Sequence, residues 1–335
     1  MPPSPRLSKA LGAILGVHTG DSLGATLEFS SHSDIFQEYP HGLREIIGGG
    51  PFGWPAGHAT DDTDLTRAVL LAYVSRSKET TNTKNTATTG PIPSSFDIAT
   101  SAAEFSLKWL HGDWPGREKG SSPEDIGNAT MMGLMRYAQT RDVKNAGAGQ
   151  GNAGNGSLMR CIPTALFTKT REDRVRESMQ ISAITHDDGR CMVSCAVYNE
   201  IVAALLEGKT AEEAVEIGIQ VAKELQSESV ESAVKKGKGL SILDLARDGP
   251  GNVLPDGTSG FVLQSLTVGV AAVLDARSFE EVLVDVVRLG GDTDTNGAIS
   301  GGLLGAREGV DGIPGRWLEK LQFRQEFEEY TRAMM

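Results

Sequence analysis

Apolar residues recur at helical spacing along most of this 335-residue chain, and period-two alternation bounded by turn residues is scarce. No other feature restricts the fold as tightly. Leu11, Ile14, Leu15 and His18 share one helical face, and Leu65, Val69, Ala72 and Tyr73 share another. A helix over 193–208 ends in glycine. The next, over 210–225, opens with Thr210 and two glutamates, an N-cap followed by an acidic first turn. Further helices are predicted over 229–239, 259–276, 278–289, 295–309 and 314–333. The pattern reads as an all-α fold of a dozen or more helices in one domain spanning 1–335.

Composition narrows the function. At 39% hydrophobic and 23% charged, the chain has what an ordinary globular core needs, and its length requires no disulfide or structural-metal staple. A net charge of -12 argues against a nucleic-acid groove and suits cationic ligands or metals. Cys191 and Cys195 share a helical face but have no Cys or His cluster beside them, so they and Cys161 read as small buried hydrophobes rather than a zinc site. No run approaches the roughly 18 consecutive apolar residues of a membrane span. The start, MPPSPRLSK, lacks a secretory apolar core. The expectation is a cytosolic or nuclear protein that binds neither nucleic acid nor membrane and acts as a monomer.

Two segments break the helical pattern. Residues 77–95 are polar and threonine-rich, and read as a mobile insertion between helices. Residues 145–157, NAGAGQGNAGNGS, are glycine-rich and run directly into the apolar LMRCIPTALF. Such a segment is either a flexible linker or a turn that presents backbone N–H groups to an anion at a helix N-terminus. It lacks a P-loop lysine and follows no clear strand, so a nucleotide-binding P-loop does not fit.

The chemistry concentrates in two acidic clusters far apart in sequence. One is GHATDDTDL, with Thr60, Asp61 and Asp62; the other is RLGGDTDTNGAISGGLLG, with Asp292, Asp294 and Thr295. Each can be read as a helix start, since a cap and acidic residues favour the positive end of the dipole. Yet capping needs one side chain, and each cluster offers two or three carboxylates plus hydroxyls, the ligand set of hard divalent ions. Spacing alone does not show that the clusters meet. The small residues Gly297, Ala298, Gly301, Gly302 and Gly305 allow the following helix to pack close to a neighbour.

Six stretches taken together carry a resemblance: GVHTGDSLGATLEF, IIGGGPFGWPAGHATDDTDL, EDIGNATMMGLMRY, GNAGNGSLMRCIPTAL, AITHDD, and the run from Leu289 to Leu321. In this order they resemble the ADP-ribosylglycohydrolase family, and within it most nearly the nitrogenase-regulating bacterial members. They cover most of the chain outside 77–95. The resemblance implies a single compact orthogonal multi-helix domain with a central two-metal site, the ions being magnesium or manganese. It implies that Thr60, Asp61, Asp62, Asp292, Asp294 and Thr295 hold the ions, and that Glu28 lines the site. Asp21 is either a helix cap or a further site acid. Asp125 corresponds to a carboxylate beside the anomeric carbon of the substrate; on its own it reads as an N-cap. Asn128 lies about one turn further on, and His186 corresponds to a pocket histidine, although a lone histidine is more often structural.

The resemblance further implies that Gly154, Asn155, Gly156 and Ser157 receive the diphosphate. The partner is then an ADP-ribosylated protein, most nearly ADP-ribosylarginine, or a small molecule containing ADP-ribose. Serine-linked, polymeric and small-molecule ADP-ribose are competing substrates. A two-metal phosphohydrolase and a non-catalytic ADP-ribose-binding protein are competing classes. Two departures from the family pattern, Gln150 and the segment Asp187–Asp188–Gly189–Arg190, are expected to lie where the leaving group is recognised.

Overall fold

A computed structural model describes residues 3–85, 96–251, 253–254 and 258–335, with residues 82–85 described by backbone alone. Sixteen α-helices form among them. In chain order they are α1 (Pro5–Gly24), α2 (His32–Glu38), α3 (Asp61–Asn85), α4 (Ile98–Leu110), α5 (Asn128–Thr140) and α6 (Pro163–Phe167), then α7 (Arg171–Ala183), α8 (Gly189–Leu206), α9 (Ala211–Glu224), α10 (Glu228–Lys238) and α11 (Ile242–Asp248). The last five are α12 (Val262–Leu274), α13 (Phe279–Arg288), α14 (Thr293–Glu308), α15 (Gly315–Leu318) and α16 (Arg324–Met334). Among the described residues no strand forms; Gly49–Trp54 and Gly154–Phe261 are isolated bridges. The all-α expectation holds.

At the centre, α1 and α14 form the most intimate helix pair of the molecule. Both are buried on every side along most of their length, from Ala10 to Gly24 and from Thr293 to Ala306. Four glycines at i, i+4 spacing on α1 make the approach possible. A Cβ added at Gly12, Gly16 or Gly20 would fall on the carbonyl oxygen of Gly305, Gly301 or Gly297, and one at Gly24 on that of Thr293. Each interior glycine costs about 1 kcal/mol of helix propensity relative to alanine. Only backbone-to-backbone contact offsets that loss. The register is antiparallel, so the C-terminal end of α1 lies beside the N-terminal end of α14, and the residues after one helix meet the acids that begin the other.

The other helices surround this pair. The predicted start of α9 is a full capping box: Glu213 N–H donates to Thr210 Oγ1 at 3.2 Å, and Thr210 N–H donates to the Glu213 carboxylate at 2.9 Å. Helix α8 meets the length and mean hydropathy of a membrane span, but 83% of it is buried in the core. Its apolar residues therefore serve the protein interior.

Two element predictions need correction. Residues 77–85, expected to begin a polar insertion, continue α3; Ser77 and Thr81 lie on the same helix, with the Thr81 hydroxyl donating to the Ser77 carbonyl. Residues 77–81 are exposed, so their polarity is that of a solvated helix face. The rest of the expected insertion, 86–95, lies outside the described residues. The single helix predicted over 314–333 is two, α15 and α16, because the chain between them turns: Gln322 N–H leaves the helical pattern and donates to the Gly57 carbonyl.

Candidate active site

Helices α3, α5 and α14 all begin around one cleft of about 580 Å³. Their N-termini bring partial positive charge to the place where the acids gather. Asp21, near the end of α1, fixes the start of α3: its Oδ2 accepts from the backbone N–H of Thr60 (3.1 Å) and of Thr63 (3.2 Å) and from the Thr63 hydroxyl (2.5 Å). The cap reading of Asp21 is therefore the structural one, although the helix it caps is α3 and not its own.

The two acidic clusters meet. Thr295 Oγ1 donates to Asp62 Oδ2 at 3.2 Å across 233 positions of sequence, and Thr60 Oγ1 lies 3.4 Å from the same oxygen. Glu28, Asp125 and Asp294 each place a carboxylate oxygen within 4.8 Å of the other two. Asp61, Asp292 and Thr295 line the same cleft. Asp62 is fully buried behind Asp61.

Burial first, and then the neighbouring carboxylates, push these acids upward. Glu28 rises to about 8, with Asp125, Asp292 and Asp21 contributing after burial. Half-buried Asp125 rises to about 6, pushed by burial and by Asp292 and relieved by a hydrogen bond shared with Asp61. Asp61, Asp62 and Asp294 are driven well above the usual carboxylate range, first by burial and then by the surrounding acids. Half-buried Asp292 is also raised by burial, with Asn155 opposing the shift.

Several site oxygens lack a partner. Asp62 Oδ1, Asp294 Oδ1 and Glu28 Oε2 are buried and accept no hydrogen bond. A buried acceptor without a donor costs about 1–3 kcal/mol. Three of them beside mutually repelling carboxylates are what a divalent cation would satisfy, and the donor set is all oxygen. The residues present fit such ions.

At the opposite wall the glycine-rich segment folds into a turn. Asn155 Nδ2 donates to Asp292 Oδ2 (2.7 Å) and to Ser265 Oγ (2.9 Å), so this side chain orients an acid as well as lining the cleft. Its backbone N–H is engaged by the Gly260 carbonyl. Gly154 and Gly156 lie against the His186 ring; a Cβ at Gly156 would meet His186 Cε1 at 3.0 Å. His186 and Asn128 line the cleft as expected. Burial and nearby Arg160 push His186 down to about 3, so the ring stays neutral. Sequence reasoning passed over buried Arg160. Its Nη2 donates to Thr185 Oγ1 (2.7 Å), which in turn bonds His186 Nδ1 (2.7 Å) and sets the ring's orientation. An arginine in an otherwise apolar run, SLMRCIPTAL, was the available signal.

Three predicted roles fall elsewhere. Ser157 does not reach the cleft: it is fully buried, accepting from Ser182 Oγ at 2.9 Å, because the chain turns inward after Asn155. Asp125 caps no helix; α5 starts after Gly127 without a side-chain cap, which leaves the carboxylate free to face the site. Gln150 and Asp187–Asp188 line neither this cleft nor its neighbour. They instead pin the glycine-rich turn: Gln150 Nε2 donates to the Asp187 carbonyl (2.7 Å), Gly149 N–H to Asp187 Oδ1 (2.6 Å), and Gly151 N–H to Asp188 Oδ2 (2.8 Å). Thr60 lines the neighbouring cleft, with its hydroxyl turned to Asp62.

The all-α domain thus brings two distant acidic clusters to one cleft, opposite a glycine-rich turn. The family model for ADP-ribosylglycohydrolase matches residues 2–335, and the chain belongs to that family. It is 30% identical over 96% of its length to the ADP-ribosyl-[dinitrogen reductase] glycohydrolase of Rhodospirillum rubrum, covering 92% of that protein. It is 27% identical over 99% of its length to an ADP-ribosylarginine hydrolase of Pseudomonas putida, covering 79% of it. A solved ADP-ribosylglycohydrolase-related protein complex superposes with a TM-score of 0.76 at 27% identity, covering 98% of this chain and 97% of that one.

Proposed function

We propose that this enzyme removes ADP-ribose from the guanidino group of modified arginine by hydrolysing the bond from C1′ of the ribose to nitrogen, and that it does so with two bound divalent ions, magnesium or manganese. The observation that carries the proposal is the convergence of Glu28, Asp125 and Asp294 within one cleft, beside buried carboxylate oxygens that have no donor. The likeness to relatives named for ADP-ribosylarginine and for modified dinitrogenase reductase supports the choice of linkage.

Asp61, Asp62, Asp292 and Asp294, with Glu28 and the hydroxyls of Thr60 and Thr295 beside them, would hold the ions. When bound, such ions lower the pKa of water and stabilise charge that shifts as the bond breaks. The protein's own residues do the remaining work. The clustered carboxylates favour the oxocarbenium-like charge at C1′ in the transition state. The guanidine nitrogen keeps the electron pair of the broken bond. Water oxygen joins C1′, and one water proton passes by way of Asp125 to that nitrogen, so free ADP-ribose and arginine are released. A carboxyl raised to about 6 is suited to accepting and returning a proton near neutral pH. Neutral His186 offers hydrogen bonding to the ligand and no charge.

The test is mass-spectrometric product analysis on matched arginine- and serine-ADP-ribosylated peptides, with either metal or with chelator. Metal-dependent ADP-ribose from the arginine peptide is the expected result. Release from serine alone overturns the linkage, and AMP as product overturns glycosidic cleavage.

A further inference from the structure

A second cleft, of about 310 Å³, lies against the first and shares Asp61 and Asp125 with it. One side is the segment Trp54–Asp64; the other is the loop Gly116–Asp125, with Trp109 at the base. The Trp54 indole and the His58 ring stack with centroids 4.9 Å apart and planes 13° from parallel, with Phe52 tilted against the same indole at 5.6 Å, and both Trp54 and His58 line the cleft. The Trp54 indole N–H is shielded and has no acceptor. Glu118 and Glu124, both exposed, line the same cleft as Asp125. Five carboxylates line the space, those of Asp61, Asp64, Glu118, Glu124 and Asp125, against one guanidinium, that of Arg117. Arg117 is already held by the carbonyls of Trp109 (2.6 Å) and Ser121 (2.7 Å).

We infer that this second cleft receives the leaving side of the substrate: a planar cationic guanidinium and the peptide that carries it, stacked on Trp54 and His58 and balanced by Glu118 and Glu124. Two separate features agree. A flat ring face in an acidic surround is what a guanidinium prefers over a hydroxyl, because it can stack and be neutralised at once. The shared Asp61–Asp125 wall puts the boundary between the two clefts where the carbon–nitrogen bond would be cut. The recognition role expected of Gln150 and Asp187–Asp188 is thereby moved to residues 54–58 and 116–125, in keeping with the turn-pinning bonds those residues make.

This inference rests on the proposed arginine linkage, and its test separates the two. KM and kcat are measured on an ADP-ribosylarginine peptide for wild type, Trp54→Ala and Trp54→Phe, together with calorimetric affinity for free ADP-ribose. Trp54→Ala is expected to raise KM about five- to tenfold, the effect of removing a cation–π interaction from a shielded site, while ADP-ribose affinity stays within about twofold. Trp54→Phe is expected to recover most of the loss. An unchanged KM in Trp54→Ala, or an equal fall in ADP-ribose affinity, overturns the inference and leaves the linkage standing. No release from the arginine peptide by wild type overturns the linkage, and the inference with it. Should Trp54→Ala fail to fold, the double variant Glu118→Gln/Glu124→Gln decides in the same way: a KM raised about threefold and less sensitive to salt supports the inference, and an unchanged KM overturns it.

Discussion

Asp61 and Asp62 are neighbours in sequence with different surroundings. Asp61 lines the cleft, whereas Asp62 is fully buried, and its side chain accepts from the hydroxyls of Thr60 and Thr295. Asp125 and Asn155 both line the cleft, and Asn155 also acts through Asp292. Asp125→Asn is expected to lower kcat by about 100-fold or more, as loss of a proton-transferring group does, with metal affinity measured by calorimetry nearly retained. Asn155→Ala removes a hydrogen bond that orients a candidate metal ligand; metal affinity is expected to fall about tenfold while the melting temperature changes little.

The raised acids also make a pH prediction for the metal-free protein. Asp125, Asp21, Asp64 and Glu28 rise to about 6, 7, 7 and 8. A carboxyl whose folded pKa exceeds its unfolded value contributes stability at low pH, and that contribution is lost as pH rises through the folded pKa. Thermal scans in chelator are therefore expected to show a melting temperature that falls from pH 5 to pH 8. Added magnesium or manganese is expected to raise it more at pH 8 than at pH 5. A flat profile contradicts the burial of these acids, and equal metal stabilisation at both values contradicts a metal site beside Glu28 and Asp125.

At the scale of elements, the contact of α1 with α14 sets the site. Gly12, Gly16, Gly20 and Gly24 hold the end of α1 against the start of α14, and Asp21 then caps α3 from the same helix. Gly16→Ala puts a methyl onto the Gly301 backbone, where neither side can rotate away. It is expected to destabilise the fold by about 2–3 kcal/mol or more by chemical denaturation, the upper range for overpacking. Gly189→Ala, at the open first turn of α8, meets nothing within 4 Å and is expected to be near neutral.

The helices and their caps were legible in sequence wherever periodicity and local chemistry agreed, as at Thr210 and Glu213. The ends that depend on distant partners were not. Nothing local says that α3 runs on beyond Ser77 to Asn85, that the chain turns at Gln322 to reach Gly57, or that residue 157 faces inward. Within the site, the acidic clusters were legible as ligand sets, because capping cannot use so many carboxylates. Their meeting was not legible from spacing, since the Thr295–Asp62 hydrogen bond spans 233 positions. The family resemblance supplied that link. It also drew attention to Gln150 and Asp187, whose partners turned out to be each other and the turn beside them.

Across the whole molecule, a central glycine-lined helix pair assembles an acidic cleft, and a second, aromatic and acidic cleft lies across the Asp61–Asp125 wall. The most direct test of the proposed metal-dependent hydrolysis is to follow ADP-ribose release from a single ADP-ribosylarginine peptide by mass spectrometry, with magnesium or manganese, with chelator, and with Asp292→Ala. Release that requires metal and is lost in Asp292→Ala is the predicted result. Release that persists in chelator, or that survives Asp292→Ala at the wild-type rate, contradicts it.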